Sequence, residues 1–207
     1  MPKMTRTLAL VTALAMTLLA VGSMTTSVAA QDGSLQVEVA EYGSRFFPDS
    51  SMADADGNPT RGAWFVTEGY IYEAGTLTCD DDGACNGVVY DDAGVPSPEF
   101  PDAVLGTWHC AGTHLEDAAL MGEFVGPVAL TTQVYDFGEN GADSIMTSGY
   151  ESANVGVGYE RAVIGGTGMY SGASGTQQQT TMGFNNMELA IDGIPLIGFT
   201  FAVELPV

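Results

Sequence analysis

Apolar and polar residues alternate in short runs along most of the chain, and Gly, Asp, Asn and Pro separate the runs. In Leu35–Ala40, Leu35, Val37 and Val39 fall on one face, with Gln36 and Glu38 on the other. That period of two marks a strand with one buried side. Ala63–Tyr72 is aromatic and β-branched, Gly75–Val89 is hairpin-like, and Val104–Cys110 and Val128–Phe137 are strand-like. Ser144–Gly149, Tyr159–Ile164, Gly175–Met182 and Leu196–Leu205 complete the set. The polar stretch Pro48–Gly62 and the proline-bearing Asp91–Pro101 read as surface loops, and Leu115–Glu123 as a helical turn or a loop. Roughly eight or nine short strands with little helical periodicity predict an all-β sandwich or barrel. A barrel is the expectation, because closure removes exposed edge strands. The 27 glycines suit its bulges and corners. No linker or repeat divides the chain, so residues 31–207 are expected to form one domain.

The first thirty residues follow a different rule. Lys3 and Arg6 precede an apolar stretch from Leu8 to Val21, and Val28-Ala29-Ala30 supplies small residues before Gln31. This is the three-part pattern of a signal peptide, residues 1–30, and it predicts a secreted, extracellular or periplasmic protein. No membrane insertion is expected after cleavage: the leader is short for a span, and the run Ile194–Val203 is broken by Gly198 and reads as a strand.

Charge narrows the partners. The chain has 26 acidic and five basic residues, a formal net charge of −21. Beyond the leader the basic residues are Arg45, Arg61 and Arg161 alone. Such a surface repels nucleic acid and anionic membranes, which excludes both as direct partners. Acidity of this kind serves solubility first and divalent cations second. Asp54-Ala55-Asp56-Gly57-Asn58 and Asp80-Asp81-Asp82 do not complete a calcium loop, and ordinary solvated turns are the expectation.

Export permits disulfides. Cys79 and Cys85 flank a turn-forming Asp-Gly and are expected to form a local bridge. Cys110 is left over, either a small buried hydrophobe or a functional thiol. His109 beside it cannot easily share a metal or act on the thiol, since strand neighbours point to opposite faces. No metal or cofactor is expected.

The most specific segment is Arg161-Ala162-Val163-Ile164-Gly165-Gly166-Thr167-Gly168-Met169-Tyr170-Ser171-Gly172-Ala173-Ser174-Gly175. It is a strand entering a glycine-rich corner and leaving as another strand. A phosphate loop is excluded, because no helix follows. The order of Gly165, Gly166, Thr167, Gly168 and Gly172 resembles the allene oxide cyclase and dirigent barrel group. Val134-Tyr135-Asp136-Phe137-Gly138 resembles the cyclases' aromatic strand, and Gly106-Thr107-Trp108-His109-Cys110 a strand with a pocket cysteine. The resemblance covers about residues 104–176. It implies a single antiparallel eight-stranded β-barrel, calycin-like, around a cavity for a small apolar or amphipathic molecule. It also implies an isomerase or cyclase activity, and a homo-oligomer by analogy with trimeric plant members. Glu38 could match a first-strand catalytic glutamate and Cys110 a pocket cysteine, but Ala40 and Gly69 stand where the plant enzymes carry asparagines. Tyr70, Tyr72, Trp108 and Tyr135 are the expected ligand-binding wall. The alternative is a non-catalytic structural or carrier barrel, which large inward side chains would favour.

Overall fold

The computed structural model describes residues 33–46, 50–120, 125–185, 190–191, 194–195 and 198–207. The expected leader, residues 1–30, and its expected cleavage point lie outside these. Eight strands make the body: β1 (Ser34–Phe46), β2 (Trp64–Glu73), β3 (Val104–His114), β4 (Ala129–Asp136), β5 (Ser144–Glu151), β6 (Gly158–Gly166), β7 (Gly175–Asn185) and β8 (Phe199–Pro206). Each pairs antiparallel with the next in sequence from β1 to β7, β7 pairs with β8, and β8 pairs back onto β1. The closed eight-stranded antiparallel barrel is therefore an up-and-down meander, as the alternation predicted. The strands begin close to the predicted positions and most run longer. Of the stretch Leu115–Glu123, the described residues 115–120 hold a 3-10 turn, Ala118–Leu120.

Alternation sets the inside. Leu35, Val37, Val39, Ile71, Trp108, Cys110, Tyr135, Ile145, Val163, Phe201, Val203 and Leu205 form one buried cluster. A second cluster lies outside the barrel. The long excursion between β2 and β3, residues 74–103, folds back over the outer faces of β1 and β2. There Leu77, Val88, Phe100 and Ala103 pack on Ala40, Tyr70, Tyr72 and Met182. Within the excursion Val88–Tyr90 pairs with Pro96–Pro98, and Ala84–Cys85 adds a short parallel pairing to β7. The Cys79–Cys85 disulfide is formed and closes that loop.

The glycine-rich corner joins β6 to β7 at one barrel mouth. Thr167 Oγ1 donates to the Gly141 carbonyl at 2.7 Å and accepts the Ser144 N–H at 3.0 Å, tying this corner to the β4–β5 turn. Gly168 sits at φ 54°, and a Cβ there would run into Ala142 and Asp143, so the turn requires glycine. Asp143 Oδ1 then accepts the Met169 N–H at 2.8 Å.

Candidate functional site

The expected wall of aromatic residues divides between two faces. Trp108 and Tyr135 point inward and are fully buried. Tyr70 and Tyr72 point outward, into the layer under the excursion. The reason is phase: Ile71 lies between them and belongs to the interior cluster, so its neighbours must face out. The Tyr72 hydroxyl donates to the Gly87 carbonyl, and burial pushes its pKa up to about 12. Tyr70 donates to the Pro96 carbonyl at 3.2 Å.

Glu38 also faces out. Its carboxylate accepts the Gly75 N–H at 2.9 Å and the Leu77 N–H at 2.7 Å, which anchors the start of the excursion. Held this way, Glu38 is turned away from the interior. Cys110 does face inward and is buried, with Sγ 3.7 Å from Glu151 Oε1. Burial first, then the Glu151 and Glu41 carboxylates, hold its thiol well above the usual pKa. A nucleophile needs the thiolate, and this burial disfavours it at Cys110. His109 is on the opposite, exposed face of β3, 3.9 Å from Glu68. The acidic turns are self-satisfied: Asp54 Oδ1 accepts the Asp56 and Asn58 N–H groups, and Asp80 Oδ1 those of Asp82 and Ala84.

What occupies the interior beside Cys110 is a polar cluster. Arg161, only 1% exposed, crosses from β6 over β5 to β4. Nη2 donates to Thr131 Oγ1 at 2.8 Å and to the Thr131 carbonyl at 3.1 Å. Nη1 donates to the Tyr150 carbonyl at 3.0 Å and lies 3.6 Å from Glu151 Oε1. Gly149 makes this crossing feasible. It pairs directly with Arg161, and a Cβ there would sit 3.1 Å from three Arg161 atoms.

From Glu151 a chain of amides runs inward. Gln133 Nε2 donates to Glu151 Oε1 and, at 2.9 Å, to Gln179 Oε1. Tyr135 donates to Gln133 Oε1 at 2.6 Å, and Gln177 Nε2 donates to the Tyr135 hydroxyl oxygen at 2.7 Å. Burial pushes the Tyr135 pKa far up, so its proton stays in place as a donor. Glu41 anchors a separate polar corner. Its carboxylate accepts Thr67 Oγ1–H and, at 2.9 Å, the Phe199 N–H.

The interior is therefore filled by large side chains, Trp108, Arg161, Tyr135, Ile71, Ile145, Leu205, Gln133 and Gln177 among them. Open space lies at the mouth. A cleft of about 470 Å3 is lined by Leu35, Met169, Tyr170, Ala173, Pro206 and Val207, together with the small residues of the glycine-rich corner. That volume is within the range of small-molecule sites. Leu35, Tyr170 and Ala173 also pack on the interior cluster, so the cleft floor is the top of the core. The glycine motif singled out in the sequence thus forms one rim of this cleft.

Several members of this arrangement carry no motif: Glu151, Gln133, Gln177, Gln179 and Glu41, and Arg161 only opens the glycine-rich segment. Strand phase is the signal that finds them. Arg161 is two residues from inward Val163, Gln133 two from Tyr135, and Glu41 two from Val39.

No protein family and no curated protein matches the sequence. Solved structures similar to the chain include a pyocyanin demethylase, 11% identical, covering 82% of this chain and 98% of that one with a TM-score of 0.42. The pterocarpan synthase dirigent protein PsPTS1 is 9% identical, covering 83% of this chain and 92% of its own at a TM-score of 0.48. A second pterocarpan synthase dirigent protein, GePTS1, is 10% identical, covering 83% and 82% at 0.49.

Proposed function

We propose that the protein is an exported binding barrel that holds a small apolar or amphipathic molecule at its mouth, in the cleft between Leu35, Tyr170, Ala173 and Pro206. The observation that carries this reading is the cleft itself, an apolar-floored space of about 470 Å3 on a rigid closed sheet. The interior below it is the scaffold. The two residues expected to do chemistry are committed elsewhere: Glu38 to the excursion backbone and Cys110 to a protonated, buried state. Binding is thus favoured over cyclisation. The Cys79–Cys85 bridge supports an oxidising compartment, in keeping with the leader.

A neutral apolar dye, N-phenyl-1-naphthylamine, tests the reading by fluorescence titration. Saturable binding is expected in the wild type. Ala173→Trp, which fills the cleft from its rim, should abolish it while leaving the melting temperature within a few degrees. A wild type that does not bind sinks the proposal. It would leave the second reading, a non-catalytic structural barrel, which the filled interior favours.

A further inference from the structure

The mouth cleft lies in a field of one sign. Its own lining sets Tyr170 and Met169 beside aliphatic Leu35 and Pro206 and carries no charged side chain. The β4–β5 turn stands directly behind that rim. Phe137 of the turn packs its ring 5.3 Å from the Tyr170 ring, and Asp143 Oδ1 accepts the Met169 N–H at 2.8 Å. Burial first, and then the Asp143 carboxylate, raise the pKa of the Tyr170 hydroxyl, so this carboxylate is felt at the cleft wall. Asp136 and Glu139 flank the same turn, and Glu204 is two residues from Pro206 on β8. Two residues of strand span about 7 Å, inside the Debye length of about 10 Å at ~0.1 M salt.

No basic residue opposes these acids near the cleft. From Gly62 to Val207 the one Lys or Arg is Arg161. Its guanidinium is sealed in the barrel against Thr131, Tyr150 and Glu151. β5 starts at Ser144, tied to the glycine-rich corner, and reaches Glu151 after eight residues, roughly 24 Å away. Arg45 falls near the end of β1 opposite to Leu35, and Arg61 just ahead of β2 at that same far end. Lys3 and Arg6 belong to the expected leader.

We propose that the mouth site selects an organic cation, an ammonium group on a compact apolar body, with the charge at the Tyr170–Asp143 rim and the hydrocarbon over Leu35 and Ala173. This deepens the reading of the cleft as the binding site and rests on it. The apolar floor attracts any hydrocarbon alike, and the carboxylates behind the rim supply the preference for sign. A cation over the Tyr170 ring gains further. An anion meets the same carboxylates and a net charge of −21.

Three probes of one shape separate the outcomes: protonated 1-aminoadamantane, 1-adamantanol and adamantane-1-carboxylate, titrated calorimetrically into the full protein at neutral pH. At low salt the ammonium should bind about tenfold more tightly than the alcohol, and the carboxylate about tenfold more weakly. At about 1 M salt, where the Debye length is about 3 Å, the three affinities should converge. The alcohol should displace the ammonium, which places both in one site. Asp143→Asn keeps an oxygen for the Met169 N–H and removes the charge, and the ammonium-to-alcohol ratio should fall about threefold. Should that variant not fold, the wild-type salt series and the competition decide. Equal binding of ammonium and alcohol, a ratio indifferent to salt, a carboxylate that binds as well as the alcohol, or an unchanged ratio in folded Asp143→Asn overturns the assignment and leaves the cleft as a site for neutral molecules. An ammonium that the alcohol cannot displace is held by surface charge alone and overturns it as well. Failure of all three probes to bind overturns both readings.

Discussion

The wall built from β8, β1 and β2 and the wall built from β4 to β7 differ on both of their faces. Inside, the first presents Leu35, Val37, Val39, Ile71, Phe201, Val203 and Leu205 with Glu41 and Thr67 at one end, and the second mixes Thr131, Gln133, Thr147, Arg161, Gln177, Gln179 and Thr181 with Tyr135, Ile145 and Val163. Outside, β1 and β2 lie under the excursion, whereas Leu130, Tyr150 and Ile164 of β4, β5 and β6 are about half exposed (47%, 50% and 55%). One wall is packed from both sides and the other is held by hydrogen bonds from one. Aliphatic side chains could have filled the second wall at equal or lower cost, since buried ion pairs add little net stability.

The sharpest way to break the contrast is Arg161→Met. It leaves Glu151 without its cation, takes the guanidinium donor from the Tyr150 carbonyl, and leaves the Thr131 carbonyl only the Ser148 hydroxyl as a side-chain donor. A loss of about 3–5 kcal/mol is expected in urea unfolding, with part of it returned by adding Glu151→Gln. A loss near zero would mean that the polar wall is not a network. On the other wall Leu205→Ala should cost about 3 kcal/mol through the transfer and cavity terms. It should also leave the hydrogen bonds across the barrel intact, which amide exchange of β4–β7 can check. Cys79→Ser with Cys85→Ser loosens the outer layer over β7, and about 2 kcal/mol is expected from the freed loop. Thiol titration of the denatured, unreduced wild type should find Cys110 alone; three thiols would refute the bridge.

The smallest effect concerns His114, buried against Phe65 at 5.0 Å between ring centroids. Burial lowers its pKa from 6.5, so the folded protein favours the neutral ring. The unfolded chain takes up a proton first. The contribution is therefore complete above about pH 6.5 and declines as the pH falls toward the folded-state value. Urea unfolding at pH 7.5 and 5.5 should show a larger decline in the wild type than in His114→Phe. Equal declines would remove His114 from the account.

These walls also explain which parts of the protein were legible in its sequence. Every barrel strand could be read, because alternation and turn residues act locally. Trp108, Cys110 and Tyr135 were placed inside correctly, since their strands carry apolar residues on one face. Tyr70 and Tyr72 were not, because β2 is apolar on both faces: Ile71 fills the barrel while the tyrosines sit under the excursion. A local pattern cannot say which of two buried faces is the inner one. Glu38 enters the interior reading through the resemblance alone, against the alternation that sets it opposite Leu35, Val37 and Val39; the glutamate that does face in is Glu41, three residues on. The polar wall stays hidden because Thr176–Thr181 is polar on both faces, so no local pattern marks Gln177, Gln179 and Thr181 as the buried row. Their burial follows from the barrel closing around the face on which the β6–β7 pairing sets Arg161 opposite Gln177.

One pairing differs from the rest in kind. Seven strand junctions join neighbours in sequence, while Ser34–Ala40 against Thr200–Pro206 joins the two extremes of the barrel. During synthesis the leading strand must wait, with one edge bare, until the final hairpin partner has left the ribosome. Splicing the old ends through a short linker and opening the backbone at the exposed Val155–Val157 turn would convert that seam into a hairpin. The delay would then fall on β5 and β6, which makes the timing of closure a property of where the chain is cut and leaves the barrel itself unchanged.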